Sequence, residues 1–117
     1  MNQNTIKTIN KLITYFQLNC TIDTFKDKQS LNWKEISKYQ TLSESFIKNF
    51  QDKVSWSYIS QFQKLSEPFI IEFQDEVDWK YLKFNKNLNY LNINQLKVNI
   101  DKNILNQQKL EIFNIQI

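Results

Sequence analysis

Apolar and polar positions recur along this chain with a period of 23 residues. Leu31, Val54, Val77 and Ile100 each precede a small polar or acidic residue, namely Asn32, Ser55, Asp78 and Asp101. Trp33, Trp56 and Trp79 follow at once, and Ile36, Ile59, Leu82 and Leu105 fill the next apolar column. Leu42, Leu65 and Leu88 form another, followed by Ser43, Ser66 and Asn89. Phe46, Ile47 and Phe50 return as Phe69, Ile70 and Phe73, then fade into Asn92, Ile93 and Leu96. Self-similarity at a fixed period in this range marks a repeat architecture, in which each unit buries its apolar face against its neighbours.

Within each unit the pattern predicts two short helices. The first starts after Asn32, Ser55 or Asp78, residue types whose side chains cap helix N-termini. We expect these helices near 33–40, 56–63 and 79–84, with Trp33, Ile36 and Tyr39, then Trp56, Ile59 and Phe62, on the inward face. The second starts after Ser43 or Ser66, near 44–51 and 67–74. Glu44 and Glu67 suit the positive end of the helix dipole, and Pro68 falls in a first turn, where its missing N–H breaks no helical bond. Leu42 and Leu65 precede the cap as hydrophobic staples. Ile6, Ile9, Leu12, Ile13 and Phe16 predict an N-terminal helix over 5–18, with Thr5 as N-cap. It lacks the repeat columns, as a capping element does. The expected fold is all-α: one domain, a small α-solenoid of tandem two-helix units at 31–53, 54–76 and 77–99 behind an N-terminal capping helix. Residues 100–117 are a degraded fourth unit whose end, Leu110–Ile117, reads as an irregular last segment, with a short strand as the alternative.

Composition narrows the picture. Hydrophobic residues make up 41% and aromatic residues 15%, enough for a core. Glycine is absent and proline occurs once, which removes most β-hairpin turns and all glycine-rich phosphate loops. Every basic residue is a lysine, and the abundance of Asn, Ile and Lys fits an AT-rich genome. A net charge of +3 without arginine forks predicts weak, non-specific nucleic-acid association, about 10⁻⁴–10⁻⁶ M at physiological salt. Cys20 is alone, so no intramolecular disulfide forms and a reducing compartment is expected. No apolar run is long enough for a membrane span, and the polar start Met1–Asn4 lacks a signal-peptide pattern. We therefore expect an intracellular protein.

Histidine is absent, which removes Ser-His and Cys-His nucleophilic machinery, and a single cysteine cannot build a zinc site. Glu44 and Glu67, like Asp52 and Asp75, recur one unit apart, at the ~8–10 Å of packed helices, near the separation of inverting glycosidase carboxylates. A first-turn glutamate and a turn aspartate are adequately explained as structural choices, so no catalytic, metal or cofactor residue is expected. Candidate partner-binding residues are Tyr58 and Tyr81, which share the column of Glu35 and should be exposed. Lys34, Lys38, Lys80, Lys83 and the nearby Lys86 join them on the outer faces. The tryptophans, each with an apolar neighbour three residues on, read as core rather than as stacking platforms.

Leu-Ser-Glu-x-Phe-Ile at 42–47 and 65–70, Phe-Gln-Asp-x-Val-x-Trp at 50–56 and 73–79, and Trp-Ser-Tyr-Ile-Ser-Gln-Phe-Gln at 56–63 resemble tandem repeats in uncharacterised proteins of large DNA viruses, bacteriophages and some low-GC bacteria. The resemblance covers Leu31–Leu82 well and Phe84–Leu110 poorly. It implies helical repeats and a viral or phage origin, and brings no activity. The expected function is a non-enzymatic protein-binding module, in concrete form a virus- or phage-encoded factor that binds and blocks or redirects a host protein, a defence nuclease included, in the cytoplasm of an infected cell. The alternatives are nucleic-acid binding through lysines and exposed tyrosines, or a structural subunit of a virion or organellar assembly. Ile104, Leu105, Leu110, Ile112 and Phe113 should leave apolar surface at the C-terminal end, where self-association is expected.

Overall fold

A computed structural model describes the backbone of residues 1–115 and the side chains of residues 1–108. Among the described residues every regular element is helical. The order is α1 (Gln3–Tyr15), a 3₁₀ turn (Phe25–Asp27), α2 (Trp33–Tyr39), α3 (Glu44–Asn49), α4 (Trp56–Phe62), α5 (Glu67–Glu72), α6 (Trp79–Leu82) and α7 (Tyr90–Ile115).

Helix α1 starts earlier than its apolar spacing predicts. Asn2, not Thr5, is the N-cap, and its side chain accepts from the Thr5 N–H at 2.9 Å. Thr5 is fully buried one turn inside. The helix ends in a Schellman motif, with the Leu18 N–H donating to the Ile13 carbonyl at 2.9 Å and the Gln17 N–H to Thr14 at 3.2 Å. With no glycine in the chain, Gln17 takes the left-handed position at φ 52°, a strain of about 1–2 kcal/mol. Ile9 and Leu12 are buried, and α1 joins α3 through Thr8 Oγ1 donating to Ser43 Oγ (3.2 Å) and Asn49 Nδ2 donating to Thr5 Oγ1 (3.3 Å).

The short helices begin where the capping columns place them. Asn32, Ser43, Ser66 and Asp78 each accept a backbone N–H within the following turn, whereas Ser55 holds the cap position without a side-chain bond. The inward stripe departs from expectation. Tyr39 and Phe62 are exposed, and the buried line runs through Ile36, Ser37 and Gln40, then Ile59, Ser60 and Gln63. With Trp33 or Trp56 this is the full i, i+3, i+4, i+7 face of a helix, half of it polar.

Those buried polar side chains join successive units. Ser37 Oγ donates to the Trp33 carbonyl (2.6 Å) and accepts from the Ser55 N–H (3.0 Å). Ser60 Oγ accepts from the Asp78 N–H at 2.9 Å, one period later. The Gln63 amide donates to the carbonyls of Ser37 (2.9 Å) and Gln40 (2.7 Å) and accepts from the Leu42 N–H (3.0 Å). Asn85 repeats the two donations, to Ser60 (2.7 Å) and Gln63 (2.8 Å). Buried main-chain groups need such partners, and each one left unmade costs about 1–3 kcal/mol.

Around these links the apolar columns form one core, from Ile9 and Phe25 through Phe46, Phe50, Phe69 and Phe73 to Leu82, Ile93, Leu96 and Ile100. The tryptophans rest on it half-buried. Trp56, expected to be buried, lies 5.4 Å from Phe73 and 6.3 Å from Phe69 between ring centroids, with one edge in solvent. The reason is polar: its indole N–H donates to the Gln51 carbonyl just past α3, at 3.0 Å. Trp79 does the same to Gln74 past α5, also at 3.0 Å.

The last part of the chain is regular rather than irregular. Helix α7 runs 26 residues, straight through Ile100 and Asp101, where the repeat columns place a boundary, and through residues expected to be a loose tail as far as Ile115. Residues 101–108 are exposed on every side. The radius of gyration is 17.6 Å, against about 13 Å for a compact chain of this length.

Candidate binding surface

The amide links fix which side chains the first helices turn outward. Gln63 and Asn85 are held inward by their amide bonds, and Gln40 is buried at the matching place in α2, so the residue before each one, Tyr39, Phe62 and Phe84, is directed away from the core. These rings are 69%, 41% and 63% exposed. Large aromatic side chains ordinarily contribute burial. Here Tyr39 and Phe62 stand in solvent one period apart, and Phe84 does so one residue short of the next period, before the inward amide of Asn85.

Lysine packs among them. The Lys38 ammonium lies 5.1 Å from the Tyr39 ring centroid, 5.5 Å from Tyr58 and 5.7 Å from Phe62, so α2 and α4 share one cluster. Tyr58 and Phe62 pack at 6.1 Å with their planes tilted by 40°. Each such cation–ring contact contributes about 0.5–1 kcal/mol at an exposed site. At the end of α6 the Lys83 ammonium lies 5.9 Å from the Tyr90 ring, beside Phe84 in sequence.

Of the residues singled out from sequence, the structure brings Lys38 and Tyr58 into contact. Tyr58 is half-buried by that packing rather than fully exposed, while Tyr81 is exposed on α6. Lys83 sits at the end of α6 near Tyr90. Lys34 is elsewhere, in an open cleft of about 580 Å³ lined with Trp33, Lys53 and Ser55 at the N-terminal ends of α2 and α4. Lys80 is exposed in the first turn of α6, its N–H donated to Asp78. Tyr39, Phe62 and Phe84 were not singled out. Their signal was present in Ser37, Ser60, Gln40 and Gln63, polar residues that recur at the inward spacing and so force the intervening aromatic outward.

Of the recurring carboxylates, Glu44 bridges two helices. Both oxygens of Glu44 accept from Ser66, from its N–H at 2.6 Å and its hydroxyl at 3.0 Å, which ties α3 to the start of α5. Glu72 pairs with Lys48 at 2.7 Å on the surface. Cys20 is half-buried against the core. Ile104 and Leu105 are exposed on α7, and the side chains of Leu110, Ile112 and Phe113 lie outside the described residues. Among the described residues no helix is long and apolar enough to cross a membrane. No protein-family model matches the chain, and neither the curated proteins nor the solved structures contain a match.

Proposed function

We propose that the chain is a non-enzymatic protein-binding module, in which the units 31–53, 54–76 and 77–99 stack as a small α-solenoid closed at its N-terminal end by α1. The support for stacking is the recurrence of the same links, Ser37 with Ser60 one period apart and Gln63 with Asn85 one residue short of it. The observation that carries the function is the set of exposed rings Tyr39, Phe62 and Phe84, each directly before a buried amide residue, with Tyr58, Tyr81, Lys38 and Lys83 nearby. Repeat arrays bind through such extended rows, and tyrosine and other rigid aromatics supply contact area at low entropic cost.

The resemblance of residues Leu31–Leu82 to viral and phage repeats gives this module a context: a factor that binds and blocks a host defence protein inside the infected cell. The test is capture from host lysate, with and without nuclease, by the wild type and by the variant Tyr39→Ser, Phe62→Ser, Phe84→Ser. Because these rings are exposed, the variant should keep its fold and lose the partner. A partner released by nuclease, or retained by the variant, contradicts the proposal. Recovery only within large particles would point to a structural subunit instead.

A further inference from the structure

Carboxylates are shared unevenly between the two kinds of connection, although Lys53 stands beside Asp52 and Glu44 and Glu67 open the second helices. From Ile36 to Ser43 the one charged residue is Lys38, and from Tyr58 to Ser66 it is Lys64. From Trp79 to Ile100 the chain carries Lys80, Lys83, Lys86 and Lys97 and no carboxylate. The acids Asp52, Asp75, Glu76 and Asp78 fall in the connections that lead into α4 and α6. The C-terminal ends of the first helices, where the aromatic row stands, therefore present lysine alone. Among the described residues Lys38, Lys64 and Lys83 have no carboxylate partner, the ion pairs there being Lys48–Glu72 and Lys97–Asp101.

From this complementarity we infer that the partner presents an acidic segment in extended form, whose carboxylates meet Lys38, Lys64 and Lys83 while its apolar side chains lie against Tyr39, Phe62 and Phe84. The inference rests on the protein-binding reading and specifies its chemistry. A carboxylate forms charge-assisted hydrogen bonds with a lysine ammonium that are roughly twice as strong as neutral ones. The hydroxyls of Tyr39 and Tyr58 can donate to the same group. Stacked nucleobases fit less well. The Lys38 ammonium already lies over the rings of Tyr39, Tyr58 and Phe62, and a base would have to displace it. Helices in contact lie about 8–10 Å apart, and a chain extended as polyproline II rises about 3.1 Å per residue and returns to the same face every third residue. An acidic residue at every third position of such a chain therefore recurs on one face at about the spacing of neighbouring helices, from which Lys38, Lys64 and Lys83 extend.

The probes are a synthetic extended peptide with glutamate at every third position between apolar residues, its glutamine counterpart, and oligothymidylate, each titrated into the isotope-labelled full chain with amide shifts recorded. We expect the glutamate peptide to shift residues 36–42, 58–65 and 81–90. The glutamine peptide, and the variant Lys38→Gln, Lys64→Gln, Lys83→Gln titrated with the glutamate peptide, should bind about tenfold more weakly, the scale of three exposed ion pairs. Equal affinity for the two peptides, or no shift with either, overturns the acidic-segment inference. The protein-binding reading then stands or falls separately on whether the serine variant of the aromatic row loses a lysate partner. Preferential binding of the oligonucleotide to the row overturns both.

Discussion

The middle of the chain and its last helix carry the same sequence columns and fold differently. Between Asn32 and Leu82 the chain breaks at each expected place, after α3 and after α5. At Ile100-Asp101 the columns call for the same break, and α7 passes through it. The difference lies in what holds a break in place. After α3 and α5 an indole N–H, from Trp56 or Trp79, takes up the carbonyl of Gln51 or Gln74 just past the helix end. The next cap-position N–H is taken up by Ser37 or Ser60 of the unit before. One period on, Lys102 stands in the tryptophan column and Lys83 in the serine column, so neither partner exists. The carbonyls there find their donors within the helix, and Lys97 pairs with Asp101 at 3.5 Å along it. A cap residue alone does not end a helix; the freed main-chain groups must be received elsewhere.

The comparison can be broken most forcefully at Trp56. Trp56→Ala removes the stack on Phe69 and Phe73 together with the bond to Gln51, and should cost about 3 kcal/mol, the low end for a large aromatic because the ring is half-buried. Denaturant unfolding measures it. Gln63→Leu fills similar space but strands the Ser37 and Gln40 carbonyls and the Leu42 N–H, and should cost about 2–3 kcal/mol. A cost near zero would remove the buried amide from the account of how units join. Trp56→Phe sharpens the contrast, since it keeps a ring on Phe73 and deletes only the indole donor. We expect about 1 kcal/mol, with faster hydrogen exchange confined to the connection between α3 and α4. The smallest effect belongs to α7. A chain ending at Lys102 loses only side chains that are exposed as far as they are described, and should melt within ~1–2 °C of the full chain. If self-association runs through Ile104 and Leu105, sedimentation should show it in the full chain and not in the shortened one.

How much was legible follows the same division. The all-helical class, the starts of α2 to α6 and the staple leucines could be read directly, because capping chemistry and apolar period agree there. The inward face could not be read from apolar residues alone. Ser37, Gln40, Ser60 and Gln63 are buried through main-chain groups of a neighbouring unit, and their spacing, not their polarity, is the signal. Reading Tyr39 and Phe62 inward from apolar spacing alone placed two of the three members of the exposed row in the core. Tyr58 was read as outward because its column holds Glu35, and Lys38 because it lies on the outer face of its helix; their contact was not foreseen. The joining of unit three to the fourth was hidden, because it depends on donors that are missing rather than on residues that are present. Likewise Asn2 displaces Thr5 as cap because Thr5 is needed for the bond from Asn49 on α3, a tertiary contact.

The most direct test of the aromatic row as the working surface is photo-crosslinking from two positions of equal exposure. Phe62 in the row is 41% exposed and Val98 on α7 is 44%. A photoreactive phenylalanine is placed at one or the other in the full chain, and host lysate is irradiated after nuclease treatment. Position 62 should give one discrete protein adduct, abolished when Tyr39 and Phe84 are also changed to serine, and position 98 should give none. The same adduct from position 98 with nothing from position 62 would contradict the account.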